Sequence, residues 1–223
     1  MPLPLYAGLS GRLLTTLLKA KRFTGVQRLA VLKRVVKRLR TAWPDPRWLL
    51  RGDRHFASPE VLQWIEDPHA LHYVTGLTSN AVLQELAREV GAQAKRASAS
   101  RGRQVPRCHS TRYQARPWWR SRRVVSQGAV SEQGVNTRFV VTDMEHARTQ
   151  VLSQHISCAR GQAENDSKDH KRYLKSDRTA GHRFAAKQWR VLVHAAASVF
   201  LETLRREVFR TTQWASAPRE TIQ

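Results

Sequence analysis

The chain has 223 residues, which is long enough for one substantial domain with its own hydrophobic core. Its 39 Lys and Arg residues outnumber its 17 Asp and Glu residues, and the resulting formal charge of +22 predicts a polyanionic partner. Two cysteines are too few for a disulfide framework or a zinc site, and no apolar run is long enough to cross a bilayer. Composition therefore argues against a disulfide-rich, a zinc-binding and a membrane-spanning protein.

A strand hairpin is predicted near the amino terminus. Leu3–Ala7 and Arg12–Lys19 alternate loosely between apolar and polar residues, and a glycine-bounded break from Gly8 to Gly11 separates them. Such a break between two runs of this kind is typical of a tight turn. The two runs therefore predict a pair of neighbouring strands.

The next predicted element is a basic amphipathic helix over residues 24–42. Thr24 and Gln27 have the spacing of a capping box, which favours a helix start at this point. From Val26 to Leu39, apolar residues recur at helical spacing and basic residues fill most other positions. We expect one face of this helix to pack and the other to be strongly basic.

A short buried strand is predicted over Arg47–Arg51, after two prolines that end the basic helix. This strand places Asp53 just beyond its carboxyl end. A second helix is predicted over 58–65, where a proline stands in the first turn. The order of hairpin, helix, strand and helix indicates an α/β fold with a mixed sheet.

The middle of the chain, residues 71–137, has weak periodicity and many basic residues, and we predict a β-rich basic insertion there. The β-branched run Arg138–Thr142 predicts a strand that returns the chain to the sheet.

The last part of the chain is predicted to be mostly helical. Helices are expected over 144–175 and 183–210, and the second should be buried because it is almost entirely apolar around Val191–Leu201. Residues 215–223 are expected to be a disordered tail.

Asp53 is a candidate metal ligand. It follows a hydrophobic strand and is flanked by Arg51, Arg54 and His55, whose positive charge would keep a carboxylate ionised. The alternative is an ordinary turn residue, because Gly-Asp pairs are common in turns.

Glu164 is a second candidate ligand. It stands with Lys168, Lys171 and Lys175 at spacings of four, three and four, so the four residues share one face of a helix. A carboxylate beside a row of lysines suits a cation next to a phosphate backbone. The alternative is a Glu-Lys pair on a solvated helix.

A basic-aromatic segment over 112–123 is a candidate nucleic-acid surface. Its candidate contact residues are Trp118, Trp119, Arg120, Arg122 and Arg123. Flat rings mixed with cations can stack on unpaired bases and hold phosphates. A core tryptophan pair beneath an exposed arginine strand explains the same pattern equally well.

Five segments together resemble bacterial insertion-sequence transposases of the DDE type, in the expected order and over nearly the whole chain. They are Tyr6–Gly11, Trp48–Phe56, Thr75–Asn80, Arg138–Thr142 and Cys158–Asn165. The resemblance implies a ribonuclease H-like fold: a mixed sheet with flanking helices and a mostly β insertion between the second and third catalytic carboxylates. The implied parts are 1–70, then the insertion over 71–137, then 138–214.

The resemblance also implies site residues. Asp53 would be the second carboxylate and Glu164 the third, together binding Mg²⁺ or Mn²⁺. Arg160, Glu164 and Lys171 keep the spacing of the Tyr-x2-Arg-x3-Glu-x6-Lys signature, whereas Ser157 stands at the tyrosine position. Residues 1–44 contain no Asp or Glu, so the first carboxylate and its strand are expected to be missing from an amino-terminally truncated chain.

The implied function is DNA transposition by metal-dependent phosphodiester hydrolysis and strand transfer, acting on transposon ends and target DNA. The basic helix over 24–42 and the 112–123 segment would form the DNA surface. The expected location is the bacterial cytoplasm at the nucleoid, away from membranes, and a homodimer is left open. The rival hypotheses are a catalytically inactive DNA-binding remnant and a sheet too incomplete to fold stably.

Overall fold

The computed structural model of the chain describes residues 2–8, 12–18, 22–67, 71–153, 183–208 and 211–212. The chain divides into two compact units, one formed by Met1–Phe23 with Arg160–Gln223 and the other by Thr24–Ala159. The first contains a hairpin and a long helix. The second contains a five-stranded sheet with its helices and the sequence around Asp53.

The predicted hairpin is confirmed in the first unit. Strand β1 (Pro2–Tyr6) pairs antiparallel with β2 (Leu13–Leu18). The carboxy-terminal helix of this unit packs on β2, where the backbone N–H of Leu18 donates to the side-chain oxygen of Gln188 at 2.8 Å.

This carboxy-terminal helix, α5 (Phe184–Thr203), is predicted from the sequence to be buried. The prediction is wrong for much of the helix surface. Val191 and Ser198 are buried, whereas Trp189, Leu192 and Phe200 are exposed. An apolar sequence around the whole circumference predicts burial on all sides, but β2 contacts only one side of a helix. A five-residue π-helical turn, Leu204–Val208, follows it.

The basic helix of the second unit, α1 (Gly25–Ala42), begins with the predicted capping box. The N–H of Gln27 donates to Thr24 Oγ1 at 3.3 Å, and the N–H of Thr24 donates to Gln27 Oε1 at 3.1 Å. Leu32 and Val36 are buried, and the helix packs against α2 (Pro59–Glu66). The predicted division into a packed and a basic face is confirmed.

The sheet is mixed, as expected for a ribonuclease H-like α/β fold. Its strands lie in the order β3-β4-β7-β6-β5. Their bounds are β3 (Trp48–Gly52), β4 (Leu71–Leu77), β5 (Arg107–Tyr113), β6 (Arg122–Ser131) and β7 (Gly134–Thr142). β3 is parallel to β4, and the other neighbours are antiparallel. The core includes Val74, Val125, Val140 and Leu152, which form one cluster.

Strand β3 is only half-buried, so the prediction of a buried strand is wrong. Within the described residues, β3 pairs with β4 alone and forms one edge of the sheet. Leu49 is exposed, while its neighbours in the strand are partly covered. An apolar run of five residues does not distinguish a central strand from an edge strand.

Two helices, α3 (Ala81–Leu86) and α4 (Arg88–Arg101), lie in the segment predicted to be β-rich, together with β4, β5, β6 and the start of β7. The buried residues of α4 are Val90, Gly91 and Ala94, and because two of the three are small, the apolar periodicity of the helix is weak. α4 packs closely on the sheet: a Cβ on Gly91 would lie 3.1 Å from Val135 Cγ1 of β7, and a Cβ on Gly128 of β6 would lie 3.1 Å from the carbonyl oxygen of Val90. The boundaries of a separate insertion stay a prediction.

No helix among the described residues combines the length and the apolar character that crossing a membrane requires.

Candidate functional site

Asp53 lies at the carboxyl end of the parallel pair β3–β4. Gly52 is opposite Thr75 in this pair, so Asp53 follows the last bridged position. After β3 the backbone turns in close contact with β4, because a Cβ on Gly76 would lie 3.0 Å from the backbone nitrogen of Arg54. A Cβ on Gly52 would lie 2.8 Å from Phe56 Cδ2. Glycine at both positions therefore allows the tight turn that presents Asp53.

The Asp53 carboxylate caps a short 3-10 helix, Arg54–Phe56. Its Oδ1 accepts from the His55 backbone N–H at 2.9 Å, and its Oδ2 lies 2.8 Å from His55 Nδ1. The side chain is nevertheless 63% exposed. The carboxylate therefore has a local capping role, and its oxygens keep further lone pairs that face solvent.

Two more charged side chains, Arg28 and Glu60, lie close to Asp53. The sequence predicted a role at this site for neither of them. Burial lowers the pKa of the Arg28 guanidinium, while the negative charges of Asp53 and Glu60 oppose that shift. Glu60 lies against the first turn of α1, since a Cβ on Gly25 would contact its carboxylate. Arg28 from α1, Asp53 after β3 and Glu60 from α2 thus form one electrostatic group, which we call the Asp53 corner.

The Asp53 corner suits one ligand position of a hard divalent cation, because an exposed carboxylate at a strand end supplies anionic oxygen. Among the described residues, no group of three His, Cys, Asp or Glu side chains stands close enough to hold a metal. The other predicted ligand, Glu164, lies outside the described residues. Its approach to Asp53 stays a prediction, as do the predicted phosphate contacts of Arg160, Lys168, Lys171 and Lys175, which lie there too.

The basic-aromatic segment contains a buried ion pair. Arg122 donates from Nε to Glu66 Oε1 at 2.7 Å and from Nη2 to Oε2 at 2.8 Å, and its side chain is only 2% exposed. Its guanidinium lies 4.8 Å from the ring centre of Trp118, which is itself buried. Tyr73 donates a third hydrogen bond to Glu66 at 2.7 Å.

Both acids of this network have shifted pKa values. Burial would raise the pKa of Glu66, but the hydrogen bonds from Arg122 and Tyr73 and the charge of Arg122 outweigh it, so the pKa is lowered. Burial and the hydrogen bond to Glu66 raise the pKa of the Tyr73 hydroxyl. The network therefore holds Glu66 ionised and Tyr73 protonated at neutral pH.

Arg123 is also buried, on the opposite face of the sheet. Its Nη1 donates to the backbone oxygens of Met144, Glu145 and Ala147 at 2.7 to 2.8 Å. Its Nε donates to Ser110 Oγ at 2.7 Å. These bonds fix the loop that follows β7.

The structure corrects the predicted DNA surface at three positions. Trp118, Arg122 and Arg123 cannot reach phosphate or bases from where they lie, because all three side chains are buried. The two arginines point to the covered faces of β6, which lies between β5 and β7. Trp119 and Arg120 remain accessible. Trp119 is 61% exposed, and the Arg120 guanidinium lies 4.8 Å from its ring centre while Nη2 is 3.1 Å from Glu66 Oε2.

Comparison with known protein families agrees with this fold. The family model described as transposase DDE domain group 1 matches residues 1–223, the whole chain. No curated protein matches the chain. The chain therefore belongs to the DDE transposase family, whose members bind DNA and generally use divalent metal ions.

Proposed function

We propose that this chain acts on transposon-end DNA in transposition, by metal-dependent hydrolysis of phosphodiester bonds followed by strand transfer into target DNA. Asp53 and Glu164 are the proposed ligands of Mg²⁺ or Mn²⁺. Family membership supports the reaction class. The structural observation that carries the proposal is the position of Asp53: an exposed carboxylate at the shared carboxyl end of two parallel strands.

The residues of the Asp53 corner have distinct proposed roles. When bound, a divalent cation would polarise the phosphate and favour ionisation of an attacking water or hydroxyl. Asp53 contributes anionic oxygen, and His55 fixes the direction of that carboxylate through its backbone N–H and its ring. Arg28 balances the two negative charges of Asp53 and Glu60 before DNA arrives.

Of the five candidate contacts in the basic-aromatic segment, two remain as proposed DNA contacts. Trp119 presents an open aromatic face, and Arg120 stacks beside it with a partly exposed guanidinium. Such a pair can stack on an unpaired base and contact its phosphate. Arg160, Lys168, Lys171 and Lys175 are proposed to hold the DNA backbone next to Glu164.

The catalytic proposal is tested with DNA from either side of the gene that encodes this chain. Purified wild type, Asp53→Asn and Glu164→Gln are incubated with this DNA and Mg²⁺ or Mn²⁺, and strand nicking is measured. We expect metal-dependent nicking by the wild type and a loss of at least about 100-fold in each variant, as for removal of a principal catalytic group. Asp45→Asn is the matched control, because Asp45 is an exposed aspartate on the loop that precedes β3, at the other end of the strand from Asp53.

Equal nicking by wild type and Asp53→Asn would reject Asp53 as a ligand. Binding of DNA without any nicking would instead support the second candidate function, a DNA-binding protein that does not cleave. One observation favours that candidate: both oxygens of Asp53 already contact His55. A homodimer and association with a bacterial nucleoid stay predictions beside either function.

A further inference from the structure

We infer that the exposed face of α1 is a docking surface for the phosphate backbone of duplex DNA, and that it leads to the Asp53 corner. The surface consists of Lys33, Arg34, Lys37 and Arg38, and we call it the α1 basic face. DNA binding by this face stands on charge and exposure alone. Its role in directing DNA to Asp53 rests on the proposed function.

The α1 basic face has a charge pattern that is unfavourable without a partner. All four side chains are exposed, and α1 contains no acidic residue from Gly25 to Ala42. Lys33 with Lys37 and Arg34 with Arg38 are like-charged pairs four residues apart, which destabilise a helix by about 0.2 to 0.5 kcal/mol each. No salt bridge to an acid is seen for these four residues in the described part of the chain. A polyanion would turn this repulsion into attraction.

The face is also held rigid from behind. Leu32 and Val36 are buried on the opposite side of α1, and the capping box fixes the first turn. Lys33 Nζ lies 6.0 Å from the ring centre of Trp64 on α2, which orders one border of the face. A preordered set of cations loses less conformational entropy when it binds than a flexible tail does.

The arrangement of the cations fits a duplex. Lys33 with Lys37 and Arg34 with Arg38 form two rows one turn long, on neighbouring sides of a helix whose full diameter is about 10 to 12 Å. The major groove of B-DNA is about 12 Å wide, so the two rows can reach the phosphates on its two borders. Ala30 and Thr41 point in the direction between the two rows, one before and one after them along the helix. Both side chains are too short to reach base edges far from the helix axis. Binding without sequence preference is expected.

The first turns of α1 lie at the Asp53 corner, because the charge of Arg28 interacts with Asp53 and Glu60. From Arg28 to Arg38 the helix advances by about 15 Å at its usual rise. A duplex on the α1 basic face therefore extends toward the carboxylate proposed to hold the metal. The face would add affinity for the DNA that flanks the cleaved bond.

The test uses two variants of equal charge. One replaces all four cations of the α1 basic face by Gln: Lys33→Gln, Arg34→Gln, Lys37→Gln and Arg38→Gln. The matched control removes four exposed cations on and just after α4: Lys95→Gln, Arg96→Gln, Arg101→Gln and Arg103→Gln. Binding of a labelled DNA duplex is measured by fluorescence anisotropy over a salt series with EDTA present, so that no metal-dependent step contributes.

Each phosphate contact adds about 0.9 to the slope of log K against log salt. We expect the slope to fall by about 3 to 4 in the α1 variant and by less than about 1 in the α4 control. Arg34→Lys with Arg38→Lys should keep the wild-type slope, since a lysine also serves as a point charge. Equal loss in the α1 and α4 variants, or an unchanged slope in the α1 variant with a normal thermal melt, would overturn the inference.

The outcome is separable from that of the proposed function. Asp53→Asn should leave the salt slope at its wild-type value, because it does not touch the α1 basic face. If the wild type never nicks DNA but the α1 variant loses the slope, the docking surface stands and the catalytic proposal fails. If nicking depends on Asp53 but both variants nick equally well at roughly 150 mM salt, α1 does not direct DNA to that corner.

Discussion

Two basic stretches of this chain, α1 and the start of β6, share one sequence pattern but differ in the solvent exposure of their cations. Both mix Arg or Lys with apolar residues, and both were predicted to contact DNA. The cations of the α1 basic face are exposed, whereas Arg122 and Arg123 are almost completely buried. The solvent accessibility of an arginine therefore depends on whether its helix or strand lies at the surface or inside the sheet.

The physical cause is the number of covered faces. A helix on the surface packs along one side only, so the remaining side keeps its charges in water. β6 lies between β5 and β7, and its successive side chains point to two covered faces of the sheet. Each buried guanidinium there needs partners: Glu66 supplies a carboxylate to Arg122, and backbone oxygens satisfy Arg123.

The largest expected effect comes from breaking the buried ion pair. Arg122→Gln should lower the free energy of unfolding by about 3 to 5 kcal/mol, because it leaves the buried Glu66 carboxylate without its main counter-charge. Urea unfolding followed by circular dichroism measures the change. Arg120→Gln is the control, since Arg120 contacts the same carboxylate with a side chain that is 45% exposed, and about 0 to 1 kcal/mol is expected. A loss in Arg122→Gln no larger than in the control would contradict the buried network.

A somewhat smaller loss is expected at Arg123. Arg123→Lys keeps the charge but has a single nitrogen, so it cannot bond to the loop oxygens and also replace the bonds from Nε to Ser110 and from Nη2 to Thr149. We expect a loss of about 2 to 3 kcal/mol. The same unfolding measurement applies, with Arg112→Lys as the control because Arg112 is exposed on the neighbouring strand and pairs with Glu145 at 3.0 Å. If both variants melt like the wild type, the loop after β7 is held by something other than Arg123.

The pH dependence of stability sharpens the comparison further. Because the folded-state pKa of Glu66 is lowered, its stabilising effect is present above the unfolded value near 4.3 and is lost as pH falls through the folded-state pKa. The difference in unfolding free energy between wild type and Glu66→Gln should therefore be largest at neutral pH and shrink on acidification. A difference that stays constant from about pH 7 to about pH 3 would contradict the ionised, buried state of Glu66.

The smallest effect on stability is expected at the exposed ring. Trp119→Ala should change the free energy of unfolding by no more than about 0.5 kcal/mol, because the ring lies mostly in water. It should weaken binding of single-stranded DNA by about 1 to 3 kcal/mol if the ring stacks on a base. Trp118→Ala is the contrasting variant, since it removes a buried ring and should destabilise the fold by about 3 to 5 kcal/mol. Unchanged DNA affinity in a folded Trp119→Ala variant would remove this ring from the proposed surface.

Local signals in the sequence predicted a good part of the fold. The capping box at Thr24 and the hairpin around Gly8 depend on residues close together in the chain, and both are seen. The α/β class followed from the order of such elements. The weakly amphipathic α4 was missed, because two of its three buried residues, Gly91 and Ala94, are small and give little periodicity.

Of the candidate site, the sequence predicted the position of Asp53 and its positive surroundings, since a strand end and three neighbours decide them. It did not predict Arg28 or Glu60 beside Asp53, because those contacts depend on how α1 and α2 pack. The meeting of Asp53 with Glu164 stays a prediction for the same reason: more than a hundred positions separate them in the chain.

The sequence by itself determined the basic character of the chain, its α/β class, the strongly basic helix and an acidic residue after a strand, because composition and short-range spacing fix these features. Only the tertiary structure decided which cations face solvent. Glu66 and Arg122 are 56 positions apart and form one buried pair, and Arg123 reaches a loop more than 20 positions away. Such contacts arise from strand order and layer packing, which residues near in sequence do not encode.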